Sequence, residues 1–336
     1  MVNIPPLQKV RLSLPSAGRL AEDAMALLDA CGLKIYRSNP RQYEAHIPDL
    51  PELVVLFQRP RDIVASVRDG SVEFGITGLD IMEEHKGENG HILILHDNLG
   101  FGACALTLAV PESWSDVSDM AGLVLRAAGM AAPLRIATKF PVLTSRFLDP
   151  YQVGYKLISA EGTLETAPAI GYADMISDLV SSGQTLRDNR LVPLSDGVIL
   201  HSQAILVAHR QSLKDNPLAQ QIARHLLEYI EAHLRASENL AIFANMRGPS
   251  PEEIARRIFS QETIGGLQGP TLSQVVVREM DPNWYAVNVI VQRRLLFKSI
   301  SELRAIGGSD IVVMPVSYIF EEEPPRYTAM LRALED

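Results

Sequence analysis

A succession of strand, short turn and helix repeats through the first 85 residues, and it restricts the fold more than any other feature of the sequence. Val10, Leu12 and Leu14 alternate as in a strand. Pro15-Ser16-Ala17-Gly18 is a turn. Leu20, Ala24, Leu27, Leu28 and Cys31 then recur at helical spacing, with Gly32 suited to the position after the helix. Residues 52–57 read as a buried strand. Arg59-Pro60-Arg61-Asp62 follows, with Pro60 near the first helical position and Asp62 in the first turn. Residues 72–76 are the next strand, and Thr77-Gly78-Leu79-Asp80 is a Gly turn into a helix over 80–84. Elements in this order predict a mostly parallel sheet flanked by helices. Open sheets of this kind bind ligands at the carboxyl ends of their strands, and the first turn places Arg19 at that edge. An Arg at a helix N-terminus opposes the helix dipole, so an anionic ligand would compensate for it.

The 336 residues are too many for one ordinary compact domain. With 47% hydrophobic and 21% charged residues the composition is globular, not disordered. A net charge of -9 argues against a nucleic-acid-binding surface. It leaves room for a small polyanionic substrate held by a local group of cations. Cys31 and Cys104 are the two cysteines, both in apolar contexts. They offer neither metal-ligand spacing nor a disulfide framework, so a reducing cytoplasm is the expected setting. Residues 1–9 lack the charged start and apolar run of a signal peptide. No apolar run reaches the roughly 18 to 20 residues of a membrane-spanning helix.

Residues 100–110 read as a strand leaving the first lobe, 116–133 as a helix and loop, and 134–138 as a strand. Pro141 sits near the start of a helix through Phe147, which puts Thr138 and Lys139 at another strand-to-helix turn. Residues 153–159 are a strand, 161–165 a turn and 167–171 a short helix. The stretch with the most chemistry in it follows, residues 171–186. A short buried strand over 175–180 is bracketed by Asp174 and Asp178. Ser181, Ser182 and Gly183 form a turn, and Gln184 and Thr185 begin a helix. Consecutive backbone N–H groups at the positive end of a helix suit a phosphate. A carboxylate just before them can accept hydrogen bonds from two sugar hydroxyls. Together they have the layout needed to hold a ribose 5-phosphate, although an N-capped polar turn accounts for the same residues. Strands at 191–194 and 204–208 return the chain to the first lobe. Two crossovers between two α/β lobes leave a cleft, a preferred location for a ligand.

Residues 217–236 form a long connector helix with Leu218, Ile222, Leu226, Ile230 and Leu234 on its buried face. Beyond it come a strand (240–244) and a helix opened by the capping box Ser250-Pro251-Glu252-Glu253. A strand (274–278), a hairpin turn at Asp281-Pro282-Asn283 and a strand (284–291) follow. Leu296, Ile300 and Leu303 mark a second helix closed by Gly307-Gly308, and 311–316 is the last strand. This is the ferredoxin-like βαββαβ order. The expected division is therefore 1–98 with 195–217 as lobe I, 99–194 as lobe II, and 218–336 as connector and C-terminal domain.

These pieces resemble ATP phosphoribosyltransferase in its long form, with a C-terminal regulatory domain. The resemblance rests on Leu14-Pro15-Ser16-Ala17-Gly18-Arg19-Leu20, Arg61-Asp62-Ile63, Asp69-Gly70 and Gly75-Ile76-Thr77-Gly78-Leu79-Asp80. It continues through Gly100-Phe101-Gly102, Arg135-Ile136-Ala137-Thr138-Lys139-Phe140-Pro141, Gly162-Thr163-Leu164-Glu165 and the stretch from Gly171 to Leu186. It implies an α/β fold: a two-lobed, periplasmic-binding-protein-like catalytic core with a ferredoxin-like regulatory domain. It implies transfer of phosphoribosyl from phosphoribosyl pyrophosphate (PRPP) to N1 of ATP, releasing pyrophosphate, in the first step of histidine biosynthesis. Mg2+ would hold the diphosphate. On the same ground the expected catalytic residues are Arg19, Glu165 and Asp174. The expected PRPP contacts are Glu165, Asp174, Asp178, Ser181, Ser182, Gly183, Gln184 and Thr185. Gly18, Arg19, Arg59 and Asp80 are expected near ATP, and no protein residue is singled out as a metal ligand. Histidine is the implied inhibitor, with Thr271 and Asn288 as candidate contacts, and a homo-oligomer, dimer or hexamer, is implied.

Two departures stand out. Where the family usually carries a Lys in the first turn, Ser16 and Ala17 stand here. One charge-assisted contact, worth about 1.5 to 3 kcal/mol, is missing unless Lys139 or Arg59 replaces it. Asn288 stands where the family usually shows a His, and residues 321–336 extend past the usual end. Other readings of the same pattern are a solute-binding protein of this architecture, a catalytically weak regulatory paralogue, and a phosphoribosyltransferase with another base as acceptor.

Overall fold

The computed structural model describes residues 9–37, 39, 42–159, 164–276 and 283–335. Lobe I is built from β1 (Val10–Pro15), α1 (Arg19–Ala30), β2 (Glu44–Ile47), β3 (Leu50–Gln58), α2 (Pro60–Arg68), β4 (Phe74–Gly78), α3 (Leu79–His85) and β5 (Ile92–His96). β3, β1 and β4 are parallel neighbours, as strands joined by helical crossovers must be. Leu12, Leu14, Val55, Phe74 and Ile76 are fully enclosed. Burial on both faces is why these strands read as near-continuous apolar runs. β2 and β5 close the two edges of the sheet.

Lobe II holds β6 (Cys104–Pro111), α4 (Met120–Ala128), β7 (Leu134–Thr138), α5 (Pro141–Leu148), β8 (Tyr155–Ser159), β9 (Met175–Val180), α6 (Gln184–Asp188) and β10 (Leu191–Ser202). Its sheet runs β10-β6-β9-β7-β8. β8, β7 and β9 are parallel, and β6 is antiparallel to β9 and β10. The turn expected over 161–165 falls partly outside the described residues. Residues 167–171 are turns instead of the expected helix, and Gly171 at φ 74° ends them. β10 is longer than expected because register shifts after Pro193 and Val198 hide its period of two. The chain therefore stays in lobe II until Ser202, not 195, before β11 (Ala204–His209) inserts between β4 and β5.

The two crossovers bond to each other. Leu99 N–H donates to Ala204 O at 2.9 Å, Ala204 N–H to Phe101 O at 3.0 Å, and Gln203 Nε2 to Asp97 O at 2.7 Å. This paired segment joins lobe I to lobe II, and its first crossover lines the cleft described below.

After α7 (Arg210–Asp215) the connector helix α8 spans Pro217–Ser237. The chain divides into two compact units, Met1–Arg224 with Ala329–Asp336, and His225–Thr328, so the division falls inside α8. The second unit contains β12 (Asn239–Arg247), α9 (Pro251–Phe259), β13 (Thr271–Gln274), β14 (Trp284–Gln292), α10 (Leu296–Ala305) and β15 (Gly308–Pro315). Its antiparallel sheet runs β13-β14-β12-β15, the order expected of the split βαββαβ pattern. Ile254, Ile258 and Leu303 pack against Ile242, Met246, Val287 and Val289. Ser250 Oγ accepts the Glu253 N–H at 3.3 Å and caps α9. β13 lies earlier than the expected 274–278, and the hairpin residues Asp281 and Pro282 lie outside the described residues.

The tail is ordered against α8. Tyr318 and Phe320 meet Tyr229 with ring centroids 6.2 and 5.6 Å apart, and Arg326 pairs with Glu231 at 3.4 Å. A last helix, α11 (Pro325–Glu335), follows. No described helix is long and apolar enough to cross a membrane.

Candidate active site

A cleft of about 640 Å3 opens between the lobes. Lobe I contributes Arg19, Asp23, Pro60, Gly78 and Asp80, the first crossover contributes Gly100 to Cys104, and lobe II contributes Leu179 and Ser181. Gly18 takes φ 78° and ψ -179°, a region that glycine alone occupies readily. It turns the chain into α1, whose first N–H groups receive no side-chain cap. Arg19 is exposed at that helix start and lies 3.6 Å from Asp23 one turn later. Arg59 is also exposed, but Pro60 beside it is the residue that lines the cleft.

Asp80 is only 4% exposed. Ser202 Oγ donates to its Oδ1 at 2.5 Å and accepts its backbone N–H at 3.0 Å. Burial pushes the Asp80 carboxyl up, and the Ser202 hydroxyl with the Asp80 and Ile81 N–H groups offsets part of that rise. A Cβ on Gly78 would collide with Asp80 Oδ1, so any side chain there forces the carboxylate to move. Gly78→Ala should displace Asp80 from Ser202 and cost about 1 to 3 kcal/mol. The measurement is the denaturant midpoint, and an unchanged midpoint would show that the carboxylate has another place to go.

In lobe II the two carboxylates of β9 part company. A strand rises about 3.3 Å per residue, so Asp174 and Ser181 stand roughly 20 Å apart, at opposite ends of β9. Asp174 belongs to Arg135: its Oδ2 accepts the Arg135 N–H at 2.8 Å and Nε at 3.2 Å, and its Oδ1 accepts Nη2 at 2.7 Å. Burial opposes the Asp174 charge, but the hydrogen bonds and charge of Arg135 outweigh it and hold the carboxyl below its ordinary value. The expectation that Asp174 meets the ribose beside the phosphate loop is corrected accordingly.

Asp178 is at the loop end of the strand, and its Oδ1 accepts the Leu179 N–H at 2.8 Å. Its carboxyl is raised by burial, partly offset by the Leu179 N–H, raised further by Glu165 and lowered by Lys139. Thr138 is in register with Ser177, which brings the turn after β7, with Lys139, to the same edge. Ser181, Ser182, Gln184 and Thr185 are exposed, and Gly183 at φ 71° turns the loop into α6. Ser182 Oγ accepts the Gln184 N–H at 3.3 Å. The Gln184 side chain donates to Asp188 at 2.6 Å, so it serves α6 and leaves only its backbone for the loop.

Sequence reasoning missed Arg187, whose Nη2 donates to Ser182 O at 3.2 Å and to Gln184 Oε1 at 3.1 Å. Its spacing of three from Gln184 on a helix was the available signal. Ser202, the partner of Asp80, was missed too, because nothing in sequence joins positions 122 residues apart. In the second unit, Thr271 and Asn288 face each other across β13 and β14, and Asn288 Oδ1 is buried without a hydrogen-bond partner.

Among the described residues no three His, Cys, Asp or Glu side chains gather into a cage for a metal ion. A divalent cation in this cleft would take most of its ligands from phosphate oxygens and water, as Mg2+ commonly does.

The chain matches the ATP phosphoribosyltransferase family profile over residues 59–232 and the HisG C-terminal domain profile over 236–318. ATP phosphoribosyltransferase 1, chloroplastic, of Arabidopsis thaliana is 42% identical over 335 residues, 97% of this chain and 81% of that protein. The ATP phosphoribosyltransferase of Methanocaldococcus jannaschii is 34% identical over 310 residues, 92% of this chain and 99% of that one. Among solved structures, the ATP phosphoribosyl transferase (HisG:HisZ) complex from Thermotoga maritima matches with TM-score 0.52 and 25% identity, over 66% of this chain and 98% of that chain. Both the two-lobed core and the βαββαβ unit are covered, and the chain belongs to the ATP phosphoribosyltransferase family, in the long form that carries the C-terminal domain.

Proposed function

We propose that this chain transfers the phosphoribosyl group of PRPP to N1 of ATP, releasing pyrophosphate, as the first step of histidine biosynthesis. The observation that carries this reading is that the β7–β9 register brings Asp178, the turn with Lys139 and the 181–185 loop to one sheet edge, with Ser181 lining the same cleft as Arg19 and Asp80, while the Glu165 and Lys139 charges act on the Asp178 carboxyl. The loop N–H groups and hydroxyls take the 5-phosphate. Asp178 accepts the ribose hydroxyls, and Glu165 faces the ring where positive charge develops as the diphosphate leaves. Arg19 and the open N-terminus of α1 take the ATP phosphates. The adenine nitrogen is already a neutral nucleophile, so the chain need supply no strong base, and positioning and electrostatics supply the rate. Mg2+, held by the diphosphate oxygens, would neutralise the leaving group.

The reading extends to control. Histidine is the proposed inhibitor at the second unit, supported by the Thr271–Asn288 pair and the unpartnered Asn288 Oδ1. A homo-oligomer, dimer or hexamer, and a cytoplasmic setting belong to the same proposal, although the similar plant proteins are named chloroplastic.

Incubation with ATP, PRPP and Mg2+ should yield phosphoribosyl-ATP and pyrophosphate, and free adenine, nicotinate or orotate should not replace ATP. Product with one of those bases and none with ATP would overturn the acceptor. PRPP binding without turnover on any base would make the chain a regulatory paralogue.

A further inference from the structure

A carboxylate outside the substrate cleft ties the two lobes together. Glu84 lies on α3, one helical turn after Asp80, and is 6% exposed. One of its oxygens accepts the Val142 N–H at 2.8 Å and the other the Leu143 N–H at 3.0 Å. Those N–H groups belong to the first turn of α5, in lobe II. The donors at that helix end are fully accounted for. Pro141 in the first position has no N–H. Thr144 N–H donates to Phe140 O at 3.0 Å. Phe140, in the cap position, offers no side-chain acceptor. The donors that remain open are therefore Val142 and Leu143, and both are taken by a residue 58 and 59 positions earlier in the chain.

The surroundings make this contact strong. Ile81 packs with Phe140, Leu143 and Leu106 beside it. Hydrogen bonds to a charged acceptor gain strength where water is excluded. Burial raises the Glu84 carboxyl, while the Leu143 and Val142 N–H groups and the Arg146 charge pull it down. Phe140 and Pro141 directly follow Lys139, so the held helix end closes the turn that the register of Thr138 with Ser177 carries to the Asp178 end of β9.

We propose that Glu84 is a positioning residue that fixes α5 of lobe II to α3 of lobe I and so sets Lys139 against Asp178 at the cleft. Its kinetic consequence rests on the phosphoribosyltransferase reading, whereas the tie between the lobes does not.

Glu84→Gln keeps the volume but replaces one acceptor with an NH2 group, so one of the two bonds is lost and the apolar packing stays. Hydrogen exchange on the ligand-free protein should show the Val142 and Leu143 amides exchanging about tenfold faster than in the parent. The kcat should fall about 10- to 100-fold, the scale of a misplaced catalytic group. The KM for PRPP should rise about 3- to 10-fold as Lys139 loses its setting, whereas the KM for ATP should change by less than about threefold, because the lobe I contacts remain. Glu84→Asp keeps the charge with a shorter reach, and its kcat should fall between those of the parent and Glu84→Gln. Unchanged exchange at the two amides overturns the tie. Faster exchange with unchanged kcat overturns the positioning role, and so does a poorly folded Glu84→Gln beside a fully active Glu84→Asp. An inactive parent refutes the functional reading and leaves the exchange result to decide the tie.

Discussion

Asp178→Asn is expected to lower kcat/KM for PRPP by about a hundredfold or more while the protein stays folded, whereas Asp174→Asn is expected to destabilise the protein and leave kcat/KM unchanged. On the proposed function the reaction uses the Asp178 charge, because a carboxylate beside the ribose would stabilise the positive charge that develops there, and losing such an interaction costs about 10²- to 10³-fold. The fold does not depend on that charge. The Asp178 carboxyl is raised in the folded protein, chiefly by burial, so at neutral pH folding works against its ionisation and the neutral amide relieves that cost. At Asp174 the sign is reversed. Its carboxyl is depressed, so it contributes stability above its unfolded value, and that stability is lost as pH falls through the folded one. Asp174→Asn gives up the charge that Arg135 grips through Nε and Nη2 and should cost about 1 to 3 kcal/mol, with the PRPP KM unchanged. Denaturant midpoints and steady-state kinetics on the two variants read both effects. A raised PRPP KM with an intact midpoint in Asp174→Asn would exchange the two roles.

That pair shows what one dimension conceals. Asp174 and Asp178 are four apart on a strand, so side-chain alternation gives them the same face and residue type does not separate them. The direction of the strand does: ligands gather at the carboxyl ends of strands in such sheets, and Asp178 is the nearer to that end. Lobe I was legible because β1, β3 and β4 are buried on both faces and leave unbroken apolar runs. The edge strands β2 and β5 are short and partly exposed and leave none. β10 escaped notice past Leu194 because register shifts interrupt its alternation. The capping box of α9 was plain because both members lie within one turn. The cap of α5 was not, since its acceptor is Glu84, in the other lobe. Two local signs were present all the same: a Phe where a capping residue would stand, and a second carboxylate one turn after Asp80 on α3.

Lys139→Ala should raise the PRPP KM about 10- to 100-fold and move the acid limb of the activity profile towards neutral pH. The first turn offers Ser16 and Ala17 instead of a Lys, and Arg59 stands beside the cleft without lining it. Lys139 is the cation whose field reaches Asp178. On the proposed function it would take over a charge-assisted contact to the substrate worth about 1.5 to 3 kcal/mol, equivalent to roughly 10- to 150-fold in affinity. Its second effect has a definite sign. Lys139 lowers the Asp178 carboxyl, so removing it lets burial and Glu165 raise that carboxyl further. If PRPP binding uses ionised Asp178, as the proposed function has it, activity is then lost at a higher pH on the acid side. The two effects can be separated by adding the missing cation elsewhere. Ala17 is exposed in the turn before Gly18, on lobe I. Ala17→Lys in the Lys139→Ala background should recover much of the PRPP affinity through the substrate's phosphates, yet leave the acid limb displaced, because the new charge arises on the lobe opposite Asp178. Unaltered KM and pH profile in Lys139→Ala would remove Lys139 from the site, and recovery of both by Ala17→Lys would place the two positions against the same carboxylate.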